Sequence, residues 1–140
     1  MIKSTPLKIH YSLVVLLLFL SISSCSLDRK NPLDPVGNSS ITVPGRVIGL
    51  TYSKITSPQN LIIVRWNRLS DVDGYYVYRG FSLYTKKERI GTIESNLITE
   101  FVDSNNILTG RRYFYWVSAY IEYPQGRIEG KLSDHIEVPF

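Results

Sequence analysis

The sequence predicts an all-β sandwich built as one domain. Alanine, the strongest helix former, occurs once in the 140 residues, whereas tyrosine, which favours strands, occurs ten times. From residue 44 onward, short runs with alternating side-chain character recur at the spacing of about 8 to 12 residues that is typical of β-sandwiches. With 44% hydrophobic and 20% charged residues, the chain is neither compositionally disordered nor a multi-span membrane protein.

The first 24 residues have the three zones of an export signal. Lys3 and Lys8 supply positive charge, Leu13 to Leu20 form an unbroken apolar run, and Ser21 to Ser24 are mostly small. The widest apolar stretch, Ile9 to Ile22, has 14 residues. A helix that crosses a bilayer needs about 20 apolar residues, so a cleaved signal is expected rather than a retained anchor.

The signal ends in Ile22-Ser23-Ser24-Cys25, which resembles the lipobox of bacterial lipoproteins. The resemblance implies cleavage before Cys25, lipidation of this cysteine, and the membrane as a partner through its acyl chains. Ser26 follows where the inner-membrane sorting rule of that family has aspartate, which implies an outer-membrane location. The alternative is an ordinary secretory signal. Cys25 is the only cysteine, and an odd free thiol is a liability in an exported protein.

Residues 25–43 are predicted to form a flexible lipidated tether. They are rich in serine, asparagine and proline and show no sustained period of a helix or strand. Once Lys3 and Lys8 are removed, the net charge of the chain falls from +4 to +2. The basic clusters Arg111-Arg112 and Lys86-Lys87 are expected to be solvated turns and strand edges, so no nucleic-acid partner is predicted.

Seven strands are predicted between residue 44 and the C-terminus, in the order expected of a sandwich. Each combines apolar or aromatic residues with alternating inward and outward positions, and the turn before the third strand ends at Gly74. The strands are Val47 to Tyr52, Leu61 to Trp66, Tyr75 to Arg79, Arg89 to Ile93, Ile98 to Val102, Tyr113 to Tyr120 and Ile136 to Val138.

Residues 44–140 resemble the fibronectin type III family. The matching motifs are Ile62-x-Val64-x-Trp66, Gly74-Tyr75-x-Val77-x-Arg79, Phe101-x-Asp103, Gly110-x-x-Tyr113-x-Tyr115-x-Val117-x-Ala119 and Ile136-x-Val138. The resemblance implies a seven-stranded immunoglobulin-like sandwich with Trp66 in its core and Tyr113 in a tyrosine corner. Thr109 replaces the proline that usually precedes the corner glycine. An immunoglobulin domain proper is not expected, because its inter-sheet disulfide needs two cysteines.

No catalytic or metal site is predicted. His135 is the only histidine of the mature chain, and it follows Ser133 and Asp134 on the last strand. Neighbouring strand residues point to opposite faces, so Asp134 and His135 cannot easily act together. Asp71-x-Asp73-Gly74 resembles the start of a calcium loop, but the later ligands are missing and a turn explains it. The chain is therefore expected to be no enzyme and to need no cofactor.

Alternation also predicts a binding surface. If Tyr75, Val77, Tyr113, Tyr115 and Val117 point inward, the residues between them must line the outer face of one sheet. This aromatic face consists of Tyr76, Tyr78, Phe114, Trp116 and Tyr120, bordered by His135. Solvent-facing aromatic rings suit a protein or a glycan partner. In the alternative, lysine and arginine stems or the tether cover the rings, and the protein is a passive structural or accessory subunit of a larger envelope complex.

Overall fold

The computed structural model describes residues 31–140, so the predicted signal peptide and Cys25 lie outside the described residues. Residues 31–140 contain eight strands and no helix, which confirms the all-β prediction. The strands are β1 (Thr51–Ile55), β2 (Leu61–Arg65), β3 (Gly74–Gly80), β4 (Glu88–Ile93), β5 (Glu100–Asp103), β6 (Arg112–Tyr123), β7 (Gly126–Glu129) and β8 (Ile136–Pro139).

The strands form two antiparallel sheets. The smaller sheet has the order β1-β2-β5, and the larger sheet has β4-β3-β6 as its main path. β6 is 12 residues long, so it pairs with β8 near its start and with β7 near its end. The third and sixth predicted strands, now β3 and β6, are neighbours as expected.

The inward-facing side chains of both sheets form one core. Ile62 and Val64 of β2 face Tyr75 and Val77 of β3, and all four are fully buried. Trp66 lies beside Tyr75 in an edge-to-face arrangement, with 5.3 Å between the ring centroids. Residues 31–140 are one compact unit that contains this whole core, so the unit holds the apolar contacts that it needs to fold.

Tyr113 forms the tyrosine corner that the resemblance implied. Its hydroxyl accepts a hydrogen bond from the Leu108 amide at 2.8 Å and donates one to the Asn106 carbonyl at 3.4 Å. Asn106 and Gly110 adopt positive φ angles of 57° and 78°, which turn the chain sharply between β5 and β6. Tyr113 is fully buried, and its ring belongs to the core between the sheets.

Tyr113→Phe is expected to lower the free energy of unfolding by about 1 to 3 kcal/mol, because the Leu108 amide loses its acceptor. Urea denaturation monitored by tryptophan fluorescence measures this loss. Tyr84→Phe is the matched control, since Tyr84 is almost fully exposed and should leave the midpoint unchanged. Equal midpoints for wild type and Tyr113→Phe would contradict the corner assignment.

Most bounds agree with the predicted strands to within two residues, such as β5, which begins at Glu100 rather than at Ile98, and two differences are larger. The first strand begins at Thr51 rather than at Val47, because Gly49 has a φ of 72° that interrupts extended backbone. Val47 is nevertheless buried, and the Ile48 carbonyl accepts the Asn67 amide. The structure also adds β7, which extends β6 into a hairpin that the sequence pattern did not reveal.

Residues 31–43, the described part of the predicted tether, contain turns but no strand or helix. The Asn38 side chain closes one of these turns by accepting hydrogen bonds from the Ser40 amide and hydroxyl. At its end the segment meets the β6–β7 hairpin, where the Thr42 amide donates to the Tyr123 hydroxyl at 2.8 Å. That hydroxyl donates back to the Thr42 carbonyl at 3.2 Å. The end of the segment is thus attached to the sandwich.

Candidate functional site

The register of β3 against β6 assembles the aromatic face. Tyr76 lies opposite Ser118, and Tyr78 lies opposite Trp116. Directly opposed residues of neighbouring strands project from the same face of a sheet. The structure therefore places all five predicted rings on the outer face of the larger sheet.

The rings of the aromatic face contact one another in two groups. Tyr76 and Tyr120 stack with centroids 4.7 Å apart. Phe114 and Trp116 stack at 6.4 Å, and His135 lies 5.8 Å and 6.0 Å from these two rings. The face is thus a layer of packed rings rather than a set of separate side chains.

The expectation that these rings face solvent is wrong. Tyr120, Trp116, Tyr76 and Phe114 are exposed by only 1%, 5%, 6% and 7%. Tyr78 is partly buried, and His135 alone of the six is well exposed. The cause is a second layer of long side chains from β4, β7 and the loop before β4, which lie across the rings and exclude water.

Three covering cations make up most of that second layer. The Arg89 guanidinium lies 4.6 Å from the Tyr76 centroid, and Arg127 lies 4.6 Å from that of Tyr120. The Lys87 ammonium lies 4.7 Å from the Trp116 centroid. Such contacts contribute about 0.5 to 1 kcal/mol each at exposed sites, and the aliphatic stems shield the rings. The sequence analysis considered two groups that could cover the rings, namely lysine and arginine stems or the tether. The structure shows lysine and arginine stems over these rings.

Only one of these three cations, Arg127, forms ion pairs with carboxylates within residues 31–140. Arg127 pairs with Glu94 and Glu122, each at 3.1 Å. Neither Lys87 nor Arg89 has an ion pair within residues 31–140. The β4 side of the aromatic face therefore carries uncompensated positive charge, whereas the β7 side does not.

Tyr78 links the two sides of the face. Its hydroxyl donates to Glu129 at 2.7 Å, and the Ser118 hydroxyl donates to the same carboxylate. Burial is the main cause that raises the pKa of Tyr78 to about 12, and the hydrogen bond to Glu129 and its charge add to the shift. The phenol therefore stays protonated in the fold well above its ordinary pKa of about 10.

The raised pKa of Tyr78 leads us to expect that the folded domain loses stability in strong alkali. The unfolded chain releases this proton near pH 10, whereas the folded chain retains it up to a pKa of about 12. The stabilisation is thus fully present below the unfolded pKa and is lost as the pH rises through the folded pKa. Glu129→Gln keeps an acceptor but removes the charge, so we expect a lower Tyr78 pKa in the tyrosinate absorbance titration. Tyr78→Phe identifies the Tyr78 signal, and identical curves for wild type and Glu129→Gln would contradict the assignment.

The residues considered for catalysis face separate partners. The Ser133 hydroxyl accepts the Val117 amide at 2.9 Å, and Asp134 pairs with Arg46 at 2.6 Å. His135 packs against the rings of the aromatic face. Asp73 accepts the Glu122 amide at 2.7 Å and its own amide donates to the Tyr120 carbonyl, so it is tied to β6. Ser133, Asp134 and His135 do not form a triad.

Residues 31–140 contain no helix that is long and apolar enough to cross a bilayer. The same part of the chain holds no group of three histidine, cysteine, aspartate or glutamate side chains placed to bind a metal ion.

Comparison with known proteins identifies the fold. No protein-family model and no curated protein matches the sequence. An Fn3-like protein from Clostridium thermocellum is similar, with a TM-score of 0.55 and 26% identity, covering 69% of this chain and 92% of that one. The fold is that of a fibronectin type III domain.

Two further solved structures share this fibronectin type III fold at 16% identity. One is described as a myokine and has a TM-score of 0.53, with 69% of this chain and 96% of that chain covered. The other contains the FN1-FN3 domains of chicken CNTN1 and has a TM-score of 0.55, with 69% and 34% covered. At this identity the likeness concerns the fold alone.

The fibronectin type III fold places the aromatic face on the outside of its larger sheet. Cover by lysine and arginine stems was one of the alternatives drawn from the sequence, but the sequence analysis did not say which cations lie over which rings. Lys87 and Arg89 alternate along the β4 side, which was a usable signal for one shared face. Arg127 comes from β7, and the pairing of Glu122 with Arg127 depends on a hairpin that was not predicted. The cover from the β4 side could therefore be predicted from the sequence, whereas the cover from β7 could not.

Proposed function

We propose that this chain is a lipid-anchored, non-catalytic binding module of a bacterial envelope. The fibronectin type III fold supports a non-catalytic module in general. The lipobox-like run that ends at Cys25 supports anchoring through acyl chains on this cysteine, and several chains hold a protein on a membrane far more firmly than one. Ser26, which follows the cysteine, supports the outer membrane over the inner one.

The observation that carries the binding function is the uncompensated charge of Lys87 and Arg89. Each cation lies over a ring of the aromatic face and lacks an ion pair within residues 31–140. A side chain already held in place loses little conformational freedom when it binds. Guanidinium and ammonium groups form their strongest hydrogen bonds with anionic oxygens. The face therefore suits a protein or a glycan that presents carboxylate, phosphate or sulfate groups.

The binding function is tested by removing these two charges. The double variant Lys87→Gln/Arg89→Gln is compared with Arg68→Gln/Lys131→Gln. The control removes two exposed charges that are not among the cations over the aromatic face. Proteins and glycans are cross-linked to each lipidated protein in its native membrane and identified by mass spectrometry. We expect specific species to be lost from the first variant and retained by the control.

The second candidate is a passive structural or accessory subunit of a larger envelope complex. It is favoured by the β7 side of the face, where Arg127 has two carboxylate partners and Tyr120 is almost fully buried. Such a surface already satisfies its own charges. An identical set of cross-linked species from wild type and Lys87→Gln/Arg89→Gln would remove the binding role of the face and favour this second function.

Lipid attachment is tested separately from binding. The intact mass of the membrane-extracted protein should correspond to a chain that begins at Cys25 and carries acyl groups. Cys25→Ala should lose the added mass and keep its uncleaved signal. A wild-type protein that never carries lipid mass would contradict the anchor, whatever the cross-linking shows.

A further inference from the structure

The loop that joins β3 to β4, residues 81–87, exposes apolar side chains at one end of the sandwich. Tyr84 is 97% exposed, Phe81 53% and Leu83 39%. The loop is held in a turn, since the Tyr84 amide donates to the Ser82 hydroxyl and the Thr85 hydroxyl donates to the Ser82 carbonyl. Leu83 and Tyr84 therefore project from a defined tip.

The surroundings of this tip are basic. Phe81 lies 5.7 Å from Tyr113 and 5.9 Å from the Arg111 guanidinium, which brings the β5–β6 loop next to residues 81–87. Lys86 and Arg111 are exposed and have no ion pair within residues 31–140. Residues 80–87 and 104–112 contain no aspartate or glutamate. The nearest exposed carboxylate in sequence is Glu88, after the loop.

We propose that residues 81–87 bind the surface of an anionic phospholipid bilayer. Leu83 and Tyr84 enter the interface between the headgroups and the acyl chains, where aromatic side chains with one polar end are favoured. Lys86 and Arg111 lie at the level of the phosphates, where each cation strengthens attraction to an anionic leaflet.

A bilayer fits these residues better than an acidic protein does. A protein partner needs a complementary surface of fixed shape, and its binding energy concentrates in side chains that fill pockets. The apolar side chains of the loop project instead of lining a recess. A bilayer has no fixed shape to match, and a few apolar side chains beside cations are sufficient for reversible binding to it.

The molecule provides its own control at the opposite end. Leu97 and Ile98, in the loop between β4 and β5, are also exposed, by 68% and 53%. This loop has Glu94 beside it, and no lysine or arginine occurs between residues 90 and 110. Exposed apolar surface is thus present at both ends. Only the loop 81–87 itself contains cations, and the arginine beside the second loop, Arg127, is paired with Glu94 and Glu122.

The test measures sedimentation of residues 31–140 with vesicles, because this compact unit lacks the apolar N-terminal run. Vesicles of phosphatidylglycerol mixed with phosphatidylcholine are compared with phosphatidylcholine alone. We expect binding to the anionic vesicles, weakened by salt. Lys86→Gln/Arg111→Gln should lower the partition coefficient about fivefold for each charge removed. Leu83→Ser/Tyr84→Ser should lower it about tenfold, whereas Leu97→Ser/Ile98→Ser should leave it unchanged.

Three results would overturn the proposal. They are the absence of binding to anionic vesicles, equal binding to neutral ones, and an equal loss in the Leu97→Ser/Ile98→Ser control. Loop-dependent binding of polyglutamate without vesicle binding would instead assign the loop to an acidic protein. If residues 31–140 fail to fold, a fluorophore on Ser82→Cys in full-length Cys25→Ser protein gives the same answer. Its emission must shift to the blue with anionic vesicles and not with neutral ones.

Discussion

Trp66→Ala is expected to lower the free energy of unfolding by about 3 to 5 kcal/mol, the usual cost of truncating a buried tryptophan. Trp66 is 4% exposed and packs edge-to-face against Tyr75 in the centre of the core. The cavity left beside Tyr75 closes only in part, because the two sheets are each held by their own hydrogen bonds. A domain of ordinary stability, about 5 to 15 kcal/mol, would become marginal.

Trp66→Phe separates the packing of the ring from its polar atom. The Trp66 Nε1 hydrogen is buried with no hydrogen-bond partner within residues 31–140. Phenylalanine keeps an aromatic ring next to Tyr75 and removes this unsatisfied donor, so a much smaller loss is expected. Urea midpoints followed by circular dichroism measure both variants. An unchanged midpoint for Trp66→Ala would show that the tryptophan does not occupy the core.

Asp103→Ala is expected to cost about 3 to 5 kcal/mol, because it leaves a buried cation without its partner. Asp103 accepts hydrogen bonds from the Arg79 guanidinium at 2.8 Å and from the Tyr115 hydroxyl at 2.7 Å. All three side chains are buried. Burial and the bond to Asp103 raise the pKa of Tyr115, so the phenol remains a donor at neutral pH.

Two controls distinguish the buried pair from an ordinary surface pair. Arg79→Met/Asp103→Leu removes both charges and replaces them with apolar groups, so it should cost much less than Asp103→Ala. Glu100→Ala breaks the half-exposed pair with Arg65 and should cost no more than about 1 kcal/mol. Equal losses for Asp103→Ala and Glu100→Ala in urea denaturation would contradict the importance of the buried pair.

Local sequence pattern was sufficient to predict the sandwich. Alternation separates the residues of β6 into two faces, and the resemblance to the fibronectin type III family implied which face, with Tyr113, Tyr115 and Val117, points inward. The same rule placed the five rings on one outer face. It could not predict their exposure, because that depends on which strands lie beside β3 and β6 and on the length of their side chains.

The missed features share a physical cause, which is their dependence on contacts distant in the sequence. β7 forms only because Gly126–Glu129 pairs with the end of β6. The buried pair joins Arg79 of β3 to Asp103 of β5, which belong to different sheets. Both residues belong to the motifs that resemble the fibronectin type III family, but the spacing of the motifs did not indicate that the two side chains form an ion pair.

The attachment of Thr42 to Tyr123 has a mechanical consequence. A tensile load applied at residue 31 is expected to reach the sandwich at the end of the segment. It is carried there by the buried Ile41 side chain and by the two hydrogen bonds between Thr42 and the Tyr123 hydroxyl. These bonds and the turns closed by Asn38 are all exposed, so they yield before the core strands are strained. Their release frees 13 residues, which extend by up to about 40 Å. We therefore expect the segment to lengthen under load before the core strands separate.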